Sequence, residues 1–93
     1  LVRDRLNMAV SYADLFSAAT AAHIHGPAGF FASGGVLAPL DAFNGGSFGV
    51  SGSLSGAVPL VISDLLNLID GQTYINIHTT NNPSGEIRGQ IMR

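Results

Sequence analysis

The sequence predicts an all-β domain: a Gly/Ser-rich antiparallel β-sandwich or barrel-like fold with one short helix at about residues 63–70. Several short segments alternate apolar and polar residues with a period of two, which is typical of half-buried strands. Turns rich in glycine, serine and asparagine separate these segments. The 93 residues are 46% hydrophobic and only 11% charged, a composition typical of a single folded domain, 1–93, rather than a disordered chain.

Three strands are predicted in the first half of the chain. Residues 6–12 alternate, and the side chains expected to face the core are Leu6, Met8, Val10 and Tyr12. A connector at residues 13–19 leads to a second strand at 20–25, which ends at a Gly-Pro pair. A short third strand is expected around residues 36–37, closed by a proline that cannot donate to a sheet.

The middle of the chain predicts a turn followed by a fourth strand. The Asn44-Gly45 pair suits a type I′ hairpin turn. Residues 47–55 then alternate and predict a strand with a flat outer face of serine and glycine. The side chains expected inside are Phe48, Val50 and Leu54. Residues 57–62 continue as an apolar segment, in which Pro59 favours an edge position.

The single helical candidate covers residues 63–70. Ser63 suits the N-cap position, because its hydroxyl can accept a hydrogen bond from a free N–H of the first turn. Gly71 suits the position after the last helical turn, where a positive φ is common. The buried stripe of this helix is expected to be Leu65, Leu66 and Ile69.

Two further strands form a predicted hairpin. Residues 73–79 and 86–92 alternate, and the turn formers at 80–85 join them. One face, with Ile75 and Ile77, is expected to reach the core. The opposite, polar face carries Tyr74, Asn76, His78, Glu86 and Arg88.

The three histidines share this outward orientation. In residues 21–25, Ala22 and Ile24 point to the core, so His23 and His25 point away from it. Histidines two apart on a strand lie about 6–7 Å apart at Cα and suit a common metal ion, and His78 would supply a third nitrogen. Such ligands favour Cu(II), Zn(II) or Ni(II), with copper first by affinity. The alternative is a structural role, in which the imidazoles hydrogen-bond to Glu86, Asn76 or Thr79.

Glu86 and Arg88 lie on the same predicted face, two residues apart. Their structural interpretation is an ion pair across the surface, which contributes about 0.2–1 kcal/mol. The functional interpretation assigns Glu86 to orienting a histidine, with Asn76 nearby. A structural role is favoured for Arg88, and both remain open for Glu86.

Several classes of function are disfavoured by composition. The net charge is −2 and the four basic residues are all arginine, so no basic patch for nucleic acid is expected. The longest apolar runs are too short to span a membrane. The chain has no cysteine and no nucleophile elbow before a helix, which argues against nucleophilic catalysis and indicates a non-enzymatic domain.

Two segments resemble the CHRD (chordin-type) domain family. They read AHIHGPAG at residues 22–29 and GQTYINIHTTNNPSGEIRGQI at residues 71–91, and the resemblance runs from about residue 6 to 91. It implies a secreted module, extracellular or periplasmic, with a structural or binding role. Family members usually begin with a further strand region that carries a Glu-Val-Pro-Pro-like turn, and this sequence lacks it.

The favoured function is therefore a secreted, non-enzymatic module with a three-histidine copper or zinc site. A copper-binding protein similar to superoxide dismutase is the alternative, since that enzyme also places a His-x-His pair on a β-sandwich. The missing strand region and the absence of lysine predict unguarded edges, and hence a homo-oligomer, a filament or binding to another extracellular protein. Phe30 and Phe31 are candidate partner contacts, although one buried and one surface ring would be the ordinary arrangement.

Overall fold

The computed structural model describes residues 3–30 and 32–91 of the chain, which form two antiparallel sheets and one short helix. The elements, in chain order, are β1 (Arg3–Tyr12), β2 (Ala19–Gly26), β3 (Gly35–Pro39), β4 (Gly52–Val61), α1 (Ile62–Ile69), β5 (Thr73–Thr79) and β6 (Ile87–Ile91). A single 3-10 turn at Asp41–Phe43 lies between β3 and β4. The predicted all-β, sandwich-like fold with one short helix is confirmed.

The two sheets differ in size. Strands β1 and β4 form a two-stranded sheet, and the other four strands form a second sheet in the order β3-β2-β5-β6. In the larger sheet, Ala22 lies opposite Ile77 and Ile24 opposite Ile75. Because these four side chains share one face, the same register places the residues between them on the other face.

The core lies between the sheets. Its most buried side chains are Ala22, Ile24, Leu40, Leu54, Val58, Leu60 and Ile77. The predicted inward residues of β1 also pack here, with Tyr12 buried and Leu6, Met8 and Val10 partly buried. Burial of each large apolar side chain contributes about 1.5–3 kcal/mol, so this layer holds the two sheets together.

The start of the helix differs from the prediction. The helix begins at Ile62, and its N-cap is Val61, which makes no side-chain capping hydrogen bond. The predicted cap, Ser63, therefore lies inside the first turn. The reason is that β4 runs directly into the helix, so the last strand residue occupies the cap position.

The end of the helix follows the prediction for Gly71. This glycine has a φ of +75°, and its N–H donates to the Leu68 carbonyl. The Gln72 N–H donates to the Asn67 carbonyl, which completes a Schellman-type end.

The buried stripe of the helix was predicted correctly at Leu65 and incorrectly at Leu66 and Ile69. Leu65 and Leu68 pack against the core. Leu66 is 57% exposed and Ile69 is 45% exposed. Because the helix begins directly after the strand, the orientation of β4 rather than the apolar pattern decides which face turns inward.

The segment after the 3-10 turn also differs from the prediction. The strand predicted at residues 47–55 begins only at Gly52, and Val50 is half-exposed. The preceding residues form a loop whose Gly49 and Val50 carbonyls accept hydrogen bonds from Ala19 and Leu15. Asn44-Gly45 does not form a hairpin turn, because β3 and β4 belong to different sheets.

Candidate metal centre

The three histidines converge on the outer face of the four-stranded sheet. His23 and His25 lie on β2, and His78 lies on β5 opposite Ala21. One ring nitrogen from each residue lies within 4.8 Å of the others. The ring centroids are 4.9 Å apart for His23 and His78 and 5.5 Å apart for His23 and His25. The face predicted from the alternation of β2 and β5 therefore brings all three imidazoles together.

Main-chain carbonyls fix the protonated nitrogen of two rings. His25 Nδ1 is 3.0 Å from the Gly34 carbonyl oxygen, and His78 Nδ1 is 2.9 Å from the Pro83 carbonyl oxygen. A carbonyl only accepts hydrogen bonds, so each Nδ1 carries a proton and, in a neutral ring, Nε2 carries the lone pair. His25 Nε2 is buried and has no hydrogen-bond partner in the described structure.

The His23 ring is hydrogen-bonded to the His78 ring. His23 Nδ1 lies 3.0 Å from His78 Nε2. Two nitrogens bound to one zinc ion at about 2.0–2.1 Å in tetrahedral geometry are about 3.3 Å apart. The observed separation is close to this value, so small ring rotations would bring both nitrogens onto one ion.

The electrostatic environment favours neutral imidazole at His23. Burial lowers the pKa of His23 below its ordinary value of 6.5, and repulsion from His78 lowers it further. Asp41 acts in the opposite direction, and His25 adds a smaller lowering effect. Because a metal ion binds the neutral ring, a lowered pKa keeps the site able to bind at neutral pH.

Asp41 lies beside the histidine cluster and was not among the site residues predicted from the sequence. Its Oδ1 accepts a hydrogen bond of 2.8 Å from the Ala22 N–H. The carboxylate is thereby fixed beside β2, where it influences His23. No local spacing indicates this contact, because it joins two segments 19 residues apart.

Glu86 has a structural role. Its Oε2 accepts a 2.6 Å hydrogen bond from the Phe16 N–H, and its Oε1 accepts a 2.8 Å bond from the Thr79 hydroxyl. These bonds join the β1–β2 connector to the end of β5. The predicted ion pair with Arg88 is absent from the described structure, and Glu86 does not orient a histidine, because its hydrogen bonds go to these other groups.

Hydrogen bonds to Glu86 predict a specific acid sensitivity. Partial burial raises the pKa of the carboxyl, but bonds from Phe16, Thr79, Asn82 and Ser17 outweigh burial and lower it below 4.5. The unfolded chain therefore binds this proton first, and the stability contributed by Glu86 is lost as pH falls from about 4.5 through the lower folded-state pKa. We expect Glu86→Gln to flatten the decrease in unfolding free energy over this range, measured by urea denaturation.

The matched control for this experiment is Asp4→Asn, which removes an exposed carboxylate from β1. The difference between the two variants isolates the contribution of Glu86. An acid profile of Glu86→Gln that coincides with that of the unmodified protein would contradict this role for the carboxylate.

Arg88 holds a loop over the sheet. Its guanidinium lies 3.6 Å from the centre of the Tyr74 ring and donates to the Ala32 and Gly29 carbonyls. The ring of Tyr74 stacks in turn on His25, with centroids 5.1 Å apart and planes at 10°. Tyr74 is 3% exposed, although the sequence placed it on a solvent-facing surface. The described loop residues 27–30 and 32–34 explain this burial, because they lie over the outer face.

Asn76 supports the turn that positions His78. Its amide nitrogen donates to the Ser84 carbonyl over 3.4 Å. That turn also carries Pro83, whose carbonyl accepts the bond from His78. The structure thus gives Asn76 an indirect structural connection to the histidine cluster.

The structure describes only one of the two candidate partner-contact residues. Phe30 is 60% exposed in the loop that covers the sheet. Phe31 lies outside the described residues. Their role in binding a partner stays a prediction.

These features define a class: an all-β sandwich module with a cluster of three imidazoles on the outer face of its larger sheet. The family model of the CHRD domain matches residues 2–91. The chain belongs to this family, and it is an extracellular-type β-module. Searches among curated proteins and among solved structures gave no match. No helix in the described part of the chain is long and apolar enough to cross a membrane.

Proposed function

We propose that this CHRD domain is a secreted, non-enzymatic module that binds one transition-metal ion, preferably Cu(II), through His23, His25 and His78. The observation that carries the proposal is the convergence of three ring nitrogens within 4.8 Å of one another. A further support is the buried Nε2 of His25, which has no hydrogen-bond partner in the described structure. An unpaired buried polar atom is costly, and a metal ion would satisfy it.

The donor set favours copper or zinc among the available metals. Three neutral imidazoles suit Cu(II), Zn(II) and Ni(II), whereas Mg(II) and Ca(II) prefer oxygen ligands. Copper binds such ligands most tightly by the general affinity order. Zinc is the runner-up, because its tetrahedral geometry accepts three imidazoles and one exchangeable ligand.

Calorimetric titration of the metal-free protein tests this proposal. We expect Cu(II) to bind with a stoichiometry of about one and to raise the thermal unfolding midpoint, since a ligand that binds only the folded state stabilises it. Zn(II) should bind the same site more weakly. The absence of saturable binding of either ion would refute the proposal.

The alternative is a copper enzyme similar to superoxide dismutase, and the same preparation tests it. The described residues contain one group of three metal-ligating side chains, and we propose that this group binds or carries copper without turnover. A superoxide-consumption rate that rises in proportion to bound copper, above that of the free ion, would favour the enzyme.

We further propose that the module self-assembles through an open cleft between the two sheets. The cleft has a volume of about 310 Å³. Its apolar lining includes Val10, Tyr12, Ile75, Ile77, Ile87 and Ile91. In the described structure β1 pairs with β4 alone and β6 pairs with β5 alone, so each has an open edge. An extended segment of a second copy would fill the cleft with apolar side chains and pair with these edges.

A lysine on β6 should reduce this assembly. We expect the unmodified protein to show a mass by light scattering that rises with concentration, and Ile87→Lys to remain nearer the monomer mass, because an edge lysine opposes strand addition. Ile62→Lys on α1 is the matched control, since Ile62 is 39% exposed and Ile87 40%. A monomer at every concentration would rule out the proposed assembly.

A further inference from the structure

We infer that the covering loop, meaning the described residues 27–30 and 32–34, and the turn at 80–85 select the nitrogen with which each histidine binds metal. His25 and His78 bind through Nε2 and His23 through Nδ1, and Arg88 and Tyr74 are positioning residues for His25. This inference rests on the metal-binding function proposed above and deepens it, because it assigns the ligand atoms and the groups that orient them.

The argument for His25 begins with the covering loop. The loop returns to the end of β2 so closely that a Cβ on Gly34 would lie 2.8 Å from the Gly26 Cα. This approach places the Gly34 carbonyl 3.0 Å from His25 Nδ1. The proton on Nδ1 leaves the lone pair on Nε2, which is the atom that is buried and unpartnered in the described structure.

The loop itself is held by two side chains from the sheet. Arg88 donates to the carbonyls of Ala32 and Gly29, the second at 2.9 Å. The Tyr74 hydroxyl accepts a hydrogen bond of 3.2 Å from the Gly34 N–H, and the Tyr74 ring stacks on His25. Arg88 and Tyr74 therefore fix both partners of the His25 hydrogen bond, the imidazole and the carbonyl.

A different carbonyl fixes the other two rings. The Pro83 carbonyl accepts a hydrogen bond from His78 Nδ1–H, so in the neutral ring His78 Nε2 carries the lone pair. His23 Nδ1, 3.0 Å away, must then donate to it in the metal-free protein. All three neutral rings are thus protonated on Nδ1 before metal binds.

Metal binding changes only one of these tautomers. For His23 to bind through Nδ1, the proton on Nδ1 leaves to water and Nε2 takes up another, so the ring stays neutral. His25 and His78 keep their Nδ1 protons and their carbonyl partners. The site therefore exchanges one hydrogen bond between two imidazoles for two bonds to a shared ion.

Long-range ¹H–¹⁵N NMR of the imidazole rings tests this inference directly, with Zn(II) as a diamagnetic probe. We expect Nδ1–H signals for all three histidines in the metal-free protein. On addition of Zn(II), His23 should change to Nε2–H while His25 and His78 retain Nδ1–H. This measurement reports protonation sites and does not depend on affinity.

Variants separate the positioning role from general structural support. Arg88→Ala should give His25 a mixture of tautomers, leave His78 unchanged and weaken Zn(II) binding about 10-fold or more, the effect typical of residues that orient a ligand. Tyr74→Phe should act in the same direction, because it removes the hydroxyl that accepts from the Gly34 N–H and donates to the Gly34 carbonyl, while the stacked ring remains. Arg5→Ala, on β1, is the matched control for loss of an arginine.

Each result has a defined consequence. A His25 protonated on Nε2 in the metal-free protein would overturn the inference even if metal binds. If a folded Arg88→Ala variant keeps the His25 tautomer and the Zn(II) affinity of the unmodified protein, Arg88 does not position His25. If Arg88→Ala does not fold, Tyr74→Phe tests whether the loop contacts position His25. If the metal-free protein shows the expected Nδ1–H signals but binds neither Zn(II) nor Cu(II), the proposed metal-binding function is refuted. The positioning of His25 by the loop would still be supported.

Discussion

Replacement of His78 by alanine is expected to weaken Cu(II) binding by roughly 100-fold or more. The substitution removes one of three ligands, and even residues that only orient a ligand contribute about 10–100-fold. It also removes the acceptor of the His23 Nδ1–H bond, 3.0 Å away, and the donor to the Pro83 carbonyl. Calorimetric titration of the metal-free variant measures the change in affinity.

The control for this prediction is Asn81→Ala, an exposed position in the same turn. The Cu(II) affinity of this variant should equal that of the unmodified protein. That result would show that a substitution in the turn does not by itself weaken the site. The combined His23, His25 and His78 alanine variant should lose specific binding. If that triple variant binds Cu(II) as tightly as the unmodified protein, the metal is held elsewhere and the assignment of the site is wrong.

The sequence predicted the histidine cluster because the side chains of two strands alternate between the two faces of one sheet. Ala22 and Ile24 on β2 face the same core as Ile77 on β5, and all three are buried. A period of two then requires the intervening histidines to share the outer face. This inference needed only local patterns and the pairing of β2 with β5, which the structure shows.

The surroundings of the cluster could not be predicted in this way. The bond from Arg88 to Gly29 joins residues 59 apart, and the bond from Phe16 to Glu86 joins residues 70 apart. Residues 27–34 have no periodicity that indicates where the loop folds. Its position results from long-range hydrogen bonds and from the stacking of Tyr74, and therefore from tertiary structure rather than local sequence.

The helix could also be predicted from the sequence only in part. Its existence and its end at Gly71 follow from local chemistry, since a glycine with positive φ closes a helix in many proteins. Its buried face does not, because α1 contains apolar residues on more than one side. Leu65 and Leu66 are equally apolar, and only the direction in which β4 enters the helix determines that Leu65 packs on the core and Leu66 is exposed.

Replacement of Leu54 by alanine is expected to lower the free energy of unfolding by about 2–5 kcal/mol, the usual range for a buried leucine. Leu54 is fully buried on β4, opposite Val10, and belongs to the core cluster with Val58 and Ile24. The smaller sheet has only two strands, so loss of this contact weakens a large part of its attachment to the larger sheet. Urea denaturation at neutral pH measures the change.

The matched control is Leu66→Ala, which removes the same atoms from a side chain that is 57% exposed. We expect a change within about 0.5 kcal/mol, since exposed positions contribute little and alanine is compatible with a helix. Because the histidine cluster lies on the opposite face of the larger sheet, both variants should keep the Cu(II) affinity of the unmodified protein while folded. A Leu66→Ala variant destabilised as strongly as Leu54→Ala would show that α1 buries the face carrying Leu66, contrary to the structure.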